Sequence, residues 1–215
     1  MEDRRSNLVK WLQILLYCEI AALAFALLEY IPGDNTLFTW LQRICQGGSL
    51  VCLFAVAFAG KRYLTAAVLG SVQLVLTVAQ FVIIFFFQLL LMQGILHTDD
   101  FKAWSNFCAV LNLIAMVAGW IYTYQLYHAH GNLIKEQDAT LWRKWHHLFF
   151  WSLAAGIGVT LCSMIFFTIY TDMGLNNQTI LTLYYSLIDV PGQIITLMGI
   201  IYLHRTIQII QTQEE

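Results

Sequence analysis

The sequence predicts an all-α membrane protein, a bundle of six transmembrane helices with both termini in the cytoplasm. Of the 215 residues, 59% are hydrophobic and only 11% are charged, whereas a soluble domain carries roughly 25% charged residues. The longest apolar run, from Ala66 to Leu96, contains no charged side chain and is long enough to cross a bilayer. A bilayer is therefore the expected solvent for most of the chain.

Six apolar stretches define the spans, and residues 1–215 form a single domain. The spans are expected near residues 8–31, 38–59, 64–96, 101–128, 148–170 and 179–204. Turn-forming or charged residues end the first three spans, at 32–35, 60–62 and 97–100. A polar segment from Ala129 to His147 separates the fourth span from the fifth. No cleavage site follows the first apolar run, so we expect it to be retained as a span.

The basic residues indicate the orientation, because short loops rich in Lys and Arg stay in the cytoplasm. Arg43 and Lys102 fall on one side of the predicted bundle. The other nine basic residues fall on the opposite side: Arg4, Arg5, Lys10, Lys61, Arg62, Lys135, Arg143, Lys144 and Arg205. The second side is therefore expected to be cytoplasmic. The lack of a basic patch argues against nucleic acid as a partner, and the lipid bilayer is the expected partner.

A polar stripe runs along span 3. Gln73, Thr77, Gln80 and Gln88 fall within one narrow sector of a helix that turns by about 100° per residue. The rest of that helix surface is Val, Leu, Ile and Phe. We expect the stripe to face a polar bundle interior, and the apolar side chains near Phe85 to face lipid.

Polar side chains at similar depth on several spans predict a midplane site, because such residues are costly in a bilayer unless they serve a function. The candidate substrate-binding residues are Glu19, Gln73, Gln80, Asn112, Asp189 and Gln193.

Two of these candidates are carboxylic acids. Arg43, near the outer end of span 2, is the predicted ion-pair partner of Asp189. Glu19 has no such cation, and we expect it to be protonated. The alternative for both acids is a local hydrogen bond that serves only packing.

Pro191-Gly192 is expected to kink span 6 beside Asp189 and Gln193. Backbone carbonyls freed at such a break can bind ions or substrates, and the alternative is a kink that only packs against neighbouring helices. Small residues on spans 4 and 5, such as Gly119 and Gly156, predict close helix packing.

The segment from Leu141 to His147 mixes Trp, Arg, Lys and His. This composition is typical of an interfacial belt or a short surface helix. The histidines near it lie at the rim of the spans, so we expect neither a metal site nor a cofactor. No catalytic motif is present, and no enzymatic activity is expected.

The stretch from Tyr17 to Ala26, which reads YCEIAALAFA, resembles the Ala-rich first helix of S components. These are the six-helix substrate-binding subunits of energy-coupling-factor vitamin transporters. Residues Arg62 to Gly70 are similar to the junction between the second and third helices of that family. The resemblance implies that Ala22 and Ala26 contact a coupling subunit.

Two functions remain open. The first is a small-solute binding or transport subunit with a polar midplane site. The alternative is a non-enzymatic interaction subunit for assembly, sensing or immunity, with other membrane subunits as partners; the small-residue faces and the lack of any motif favour it. An intramembrane enzyme ranks third, and the expected location is a bacterial plasma membrane.

Overall fold

The computed structural model describes residues 2–31, 36–59, 61–93, 98–172 and 178–212. Apart from a short 3₁₀ helix, Lys61–Tyr63, its regular elements are six long α-helices. They are α1 Glu2–Leu28, α2 Thr36–Ala59, α3 Leu64–Met92, α4 Thr98–Ile134, α5 Ala139–Asp172 and α6 Gln178–Gln211. The described ranges contain no strand, and the all-α prediction is confirmed.

Each α-helix contains a stretch that is long and apolar enough to cross a membrane. Large apolar side chains cover the outside of the bundle; Phe81 on α3, for example, is 72% exposed. Such a surface is unfavourable in water and favourable in lipid. The structure therefore supports a multi-pass membrane protein.

Several Ser and Thr hydroxyl groups in these helices donate hydrogen bonds to the backbone of the same helix. The hydroxyls of Ser71, Thr77 and Thr123 each donate to the backbone carbonyl four residues earlier, at 2.9–3.0 Å. Thr160 and Ser163 on α5 do the same at 2.8 Å. A hydroxyl bonded in this way does not need water, so it can be tolerated at a lipid-facing position.

Glycines on α4 and α5 allow close helix contacts, in agreement with the packing expected for these faces. A Cβ atom at Gly119 would lie 2.9 Å from the Gln73 side chain of α3. At Gly156 it would lie 3.2 Å from the indole nitrogen of Trp120. Neither position has room for a larger side chain unless its neighbour moves.

The turn between α4 and α5 is much shorter than the polar segment expected at Ala129 to His147. The backbone N–H of Asp138 donates to the carbonyl of Ile134 at 2.8 Å, which closes a turn of four residues. Asp138 Oδ1 then accepts the backbone N–H groups of Thr140 and Leu141, at 2.9 and 2.8 Å. Because this aspartate caps α5 at its first turn, both helices continue through most of the segment.

The six helices pack in chain order as a ring that α1 and α6 close, and α4 also contacts α6. In the described residues, no Cα atom of α1 lies within 8 Å of one in α3 or α4, and the same holds between α2 and α6. Polar residues on α1 and on α3 therefore do not meet each other, and α2 is the only helix that contacts both α1 and α3 in the described residues.

The core lies at one end of the bundle, which we term the closed end. It comprises the start of α1, α3 and α5, the end of α2, α4 and α6, and the 3₁₀ helix. Its most deeply buried large side chains are Leu12, Leu53, Val56, Tyr63, Ile134, Trp145 and Thr206. The opposite end, which we term the open end, has few buried side chains among the described residues.

Polar and aromatic contacts join the closed end across the chain. Trp145 stacks on His130 and its indole N–H donates to Thr206 Oγ1 at 3.2 Å. His130 Nδ1 and the Tyr63 hydroxyl are joined by a 2.7 Å hydrogen bond. The Arg62 guanidinium donates to the carbonyl of Asn132 at 2.7 Å. These contacts hold the 3₁₀ helix, α4, α5 and α6 together.

Candidate functional site

A cavity of about 330 Å³ lies between α1, α2 and α6. It extends along α1 from Glu19, near the middle of the helix, to Tyr30 beyond its end. Because α2 and α6 do not approach each other in the described residues, the space beside α1 stays unfilled. The volume is at the lower end of the range for small-molecule sites.

Polar side chains dominate the lining. The polar lining residues are Glu19, Glu29, Tyr30, Gln42, Gln46, Asp189, Gln193 and Thr196. Three of these are carboxylic acids, and the described lining contains no Lys, Arg or His. The small residues Ala22, Ala26 and Gly192 leave space between the polar groups. The lining can therefore accept several hydrogen bonds and favours positive charge.

Glu19 is half-buried beside core residues of the closed end such as Leu15 and Leu16. Ser49 on α2 lies near its carboxyl group, but the Ser49 hydroxyl forms no hydrogen bond with any described residue. The phenols of Tyr122 and Tyr127 on α4 and the thiols of Cys45 and Cys52 on α2 lie within electrostatic range of Glu19. The carboxyl oxygens of Glu19 can still bond a further donor. Its protonation state stays a prediction.

Tyr30 links α1 to α6. Its hydroxyl donates to Asp189 Oδ2 at 2.9 Å and accepts from Gln193 Nε2 at 3.0 Å. Burial, together with the hydrogen bond to Asp189 and the charge of that residue, raises the pKa of Tyr30 to about 12. The phenol is therefore protonated at neutral pH and orients one carboxylate oxygen of Asp189, while the other oxygen keeps its lone pairs for a ligand.

Arg43 and Asp189, the predicted ion pair, have other partners in the structure. Arg43 Nη1 donates to Gln46 Oε1 at 3.2 Å, within α2. Asp189 accepts from Tyr30 instead. Arg43 is one turn of α2 from the lining residue Gln46, and it is not part of the lining itself.

The structure divides the six candidate substrate-binding residues into two groups. Glu19, Asp189 and Gln193 line the cavity. Gln73, Gln80 and Asn112 lie between α3 and α4, where Gln80 Nε2 donates to Asn112 Oδ1 at 3.0 Å and Gln73 packs against Gly119. Gln73 and Gln80, which belong to the polar stripe of α3, therefore contact α4, the next helix of the ring. The side chain of Gln88 lies outside the described residues.

Sequence analysis missed five polar lining residues, which are Glu29, Tyr30, Gln42, Gln46 and Thr196. A signal for Tyr30 was available, since eleven residues of α-helix return to within about 20° of the starting direction, so Tyr30 follows Glu19 on the same face. Gln42 and Gln46 are four residues apart and also share a face. Amides in helical register indicate a polar face as well as ionisable residues do.

Pro191 does not interrupt α6, which is continuous from Gln178 to Gln211. The carbonyl of Gly192 accepts a hydrogen bond from the Thr196 hydroxyl at 3.0 Å. Gly192 lines the cavity, and nothing lies within 4 Å of a Cβ atom added there. This glycine widens the cavity beside Asp189.

Two histidines meet outside this cavity. His128 Nδ1 and His146 Nε2 are 3.4 Å apart at the closed end, and His146 Nδ1 is 3.1 Å from the carbonyl of Trp142. No third His, Cys, Asp or Glu joins them to form a metal-binding group within the described parts of the chain.

Comparison with known proteins adds nothing to this geometry. No family model, curated protein sequence or solved structure matches the chain.

Proposed function

We propose that the protein is a membrane subunit that binds a small polar solute in the cavity between α1, α2 and α6, as a step in its transport. The lining supports a solute with a positively charged nitrogen, because it includes Glu19, Glu29 and Asp189 and its described residues include no Lys, Arg or His. This distribution of charge is the observation that carries the proposal. A carboxylate-bearing solute would meet repulsion from those of the three acids that are ionised.

The lining also supports a specific orientation for such a solute. Asp189 is held by Tyr30 at the outer part of the cavity, and Glu19 is at the inner part, next to the closed end. A cation that enters from the open end reaches Asp189 first. The apolar surface of Leu23 and Ala26 between the two acids suits the carbon skeleton of the solute.

Thermal unfolding of the purified protein in detergent tests this proposal, because a ligand of the folded state raises Tm. The compounds are small ammonium and amidinium cations, each with a neutral and a carboxylate analogue of the same size. We expect the cations alone to raise Tm, and Asp189→Asn and Glu19→Gln to reduce the shift. Glu136→Gln is the matched control, because Glu136 is exposed in the turn between α4 and α5.

An equal response to the carboxylate analogues, or full retention of the cation response in Asp189→Asn, would contradict a cation site here. A protein that responds to none of the compounds would favour the interaction subunit. The resemblance to S components implies a solute-binding role as well. Ala22 and Ala26, which that resemblance assigns to a coupling subunit, line the cavity.

The proposal includes the orientation, with the closed end in the cytoplasm of a bacterium. The closed end carries Lys10, Arg62, Lys135, Arg143, Lys144 and Arg205, in agreement with the positive-inside rule. In a variant without native cysteines, a membrane-impermeant thiol reagent should label a cysteine at Asn35 from outside, but not one at Gln137. Labelling at Gln137 alone would invert the topology.

A further inference from the structure

A second cavity, of about 270 Å³, lies at the closed end between the start of α5 and the end of α6. Lys144 of α5 and Arg205 of α6 line it from facing helices, and Gln208 adds an amide one turn after Arg205. Leu141 and Ile209 supply its apolar part. Neither the solute-binding proposal nor the packing of the core uses these polar groups.

The charge in this cavity is positive. Lys144 and Arg205 are both exposed, and neither forms an ion pair with any residue that the structure describes. Among the described residues of the lining, Asp138 is the only acidic one. One of its carboxylate oxygens already accepts two backbone N–H groups at the start of α5. The two cations therefore outnumber the single carboxylate, and they are free to bind an anion.

The position along the helices matches the phospholipid headgroup region. The uninterrupted apolar part of α5 begins at Leu148, one helical turn after Lys144, and that of α6 ends near Leu203, just before Arg205. One turn corresponds to about 5 Å of helix, so both cations lie just outside the hydrocarbon region. Basic pockets between transmembrane helices at this depth bind anionic headgroups.

The chemistry of the pair favours phosphate over a simple halide. A guanidinium offers two parallel N–H groups to a tetrahedral oxyanion, and an ammonium adds a compact charge. Gln208 Nε2 is 3.0 Å from His204 Nε2, and the second N–H of this amide can donate to a third oxygen. Leu141 and Ile209 can contact the first carbon atoms of a phosphate substituent.

We propose that this cavity binds a phosphate group, either in the headgroup of an anionic phospholipid or in a free phosphorylated anion. Both sources present the same tetrahedral oxyanion to Lys144 and Arg205. The site is separate from the solute cavity, so either assignment can fail without the other.

The experiment uses the full-length protein in a nonionic detergent and follows Tm during titration. One arm adds short-chain phosphatidylglycerol, with phosphatidylcholine of the same chain length as the zwitterionic comparison. The other arm adds inorganic phosphate, with sodium chloride at equal ionic strength. A shift with phosphatidylglycerol alone assigns the site to a lipid headgroup, and a comparable shift with inorganic phosphate assigns it to a free anion.

Substitutions locate the effect. Lys144→Gln and Arg205→Gln should each weaken the apparent affinity about tenfold or more, since each removes a charged hydrogen-bond partner. Arg143→Gln is the matched control, because Arg143 is the exposed neighbour of Lys144 and lies outside the lining. An equal loss in Arg143→Gln would show a diffuse surface effect and overturn the proposal. The absence of any shift with phosphatidylglycerol and with phosphate would also overturn it.

Discussion

The two ends of this bundle differ in how tightly their side chains pack and in how many polar groups they leave exposed. At the closed end, seven large side chains from six helical elements are almost completely removed from solvent, and polar groups such as Tyr63 and His130 pair with each other. At the open end, the described side chains are mostly exposed, and α1, α2 and α6 leave a polar cavity between them. Packing at one end provides the stability that lets the other end keep unfilled polar space.

Mutations at the two ends should therefore have different effects. Removal of a side chain at the closed end should cost stability, because it leaves a void among fixed neighbours. Removal of one at the open end should change binding more than stability. Four substitutions, in order of decreasing effect on stability, test this difference.

The largest effect is expected for Trp145→Ala. Trp145 is 1% exposed, stacks on His130 and donates to Thr206. Truncation of a buried tryptophan costs about 3–5 kcal/mol. Trp151→Ala is the matched control, since Trp151 lies on the same helix and is 69% exposed. Unfolding in detergent measures both, and equal losses would show that the burial of Trp145 does not stabilise the closed end.

The next effect concerns a polar contact of the closed end. Burial raises the pKa of Tyr63, so its hydroxyl is protonated over the physiological range and can donate to His130. Tyr63→Phe leaves a buried ring nitrogen without its partner, which should cost about 1–3 kcal/mol. Tyr17→Phe removes a hydroxyl from an exposed position of α1 and should be nearly silent in the same unfolding experiment. A silent Tyr63→Phe would mean that His130 has another partner.

The sequence predicted the fold better than it predicted this difference between the ends. Six apolar stretches gave six helices, and a polar stripe on span 3 indicated a face turned away from lipid. The segment from Leu141 to His147 was expected at the membrane interface, yet Leu141 and Trp145 are buried while Arg143 and Lys144 are exposed. Leu141, Trp145 and Leu148 follow helical spacing, and this periodicity carried more information than the mixed composition.

The candidate site was predictable only in part. Depth in the bilayer can be estimated from the distance to the nearest loop, and on that basis Glu19, Asp189, Gln80 and Asn112 belonged to one layer. Depth does not say which helices are neighbours. The ring order places α4 next to α3 and α6 next to α1, so the layer separates into two groups. Contacts between helices that are far apart in the sequence determine which helices are neighbours, and no local sequence pattern predicts them.

A smaller effect is expected for Tyr30→Phe at the open end. The substitution removes hydrogen bonds to Asp189 and Gln193, and because the site is open to solvent the cost should be about 0.5–1.5 kcal/mol. The pKa of Tyr30 is raised from 10.0 to about 12, so its contribution to stability is complete below pH 10 and is lost as the pH rises through 12. The advantage of wild type over Tyr30→Phe should shrink in that window. An advantage independent of pH would exclude the bond to Asp189 as its cause.

The smallest effect is expected between α3 and α4, where Gln80 donates to Asn112. Hydrogen bonds between transmembrane helices contribute about 0.6 kcal/mol on average, because the amide finds other partners in the unfolded state. Gln80→Leu should lower the free energy of unfolding by about that amount. Phe85→Leu is the control on the same helix, since Phe85 is exposed and the substitution replaces one apolar side chain with another. The double variant Gln80→Leu/Asn112→Leu should recover part of the loss, because it no longer leaves one amide unpaired. Equal tolerance of Gln80→Leu and Phe85→Leu would mean that this contact does not stabilise the bundle, and that the stability of the open end comes from helix packing alone.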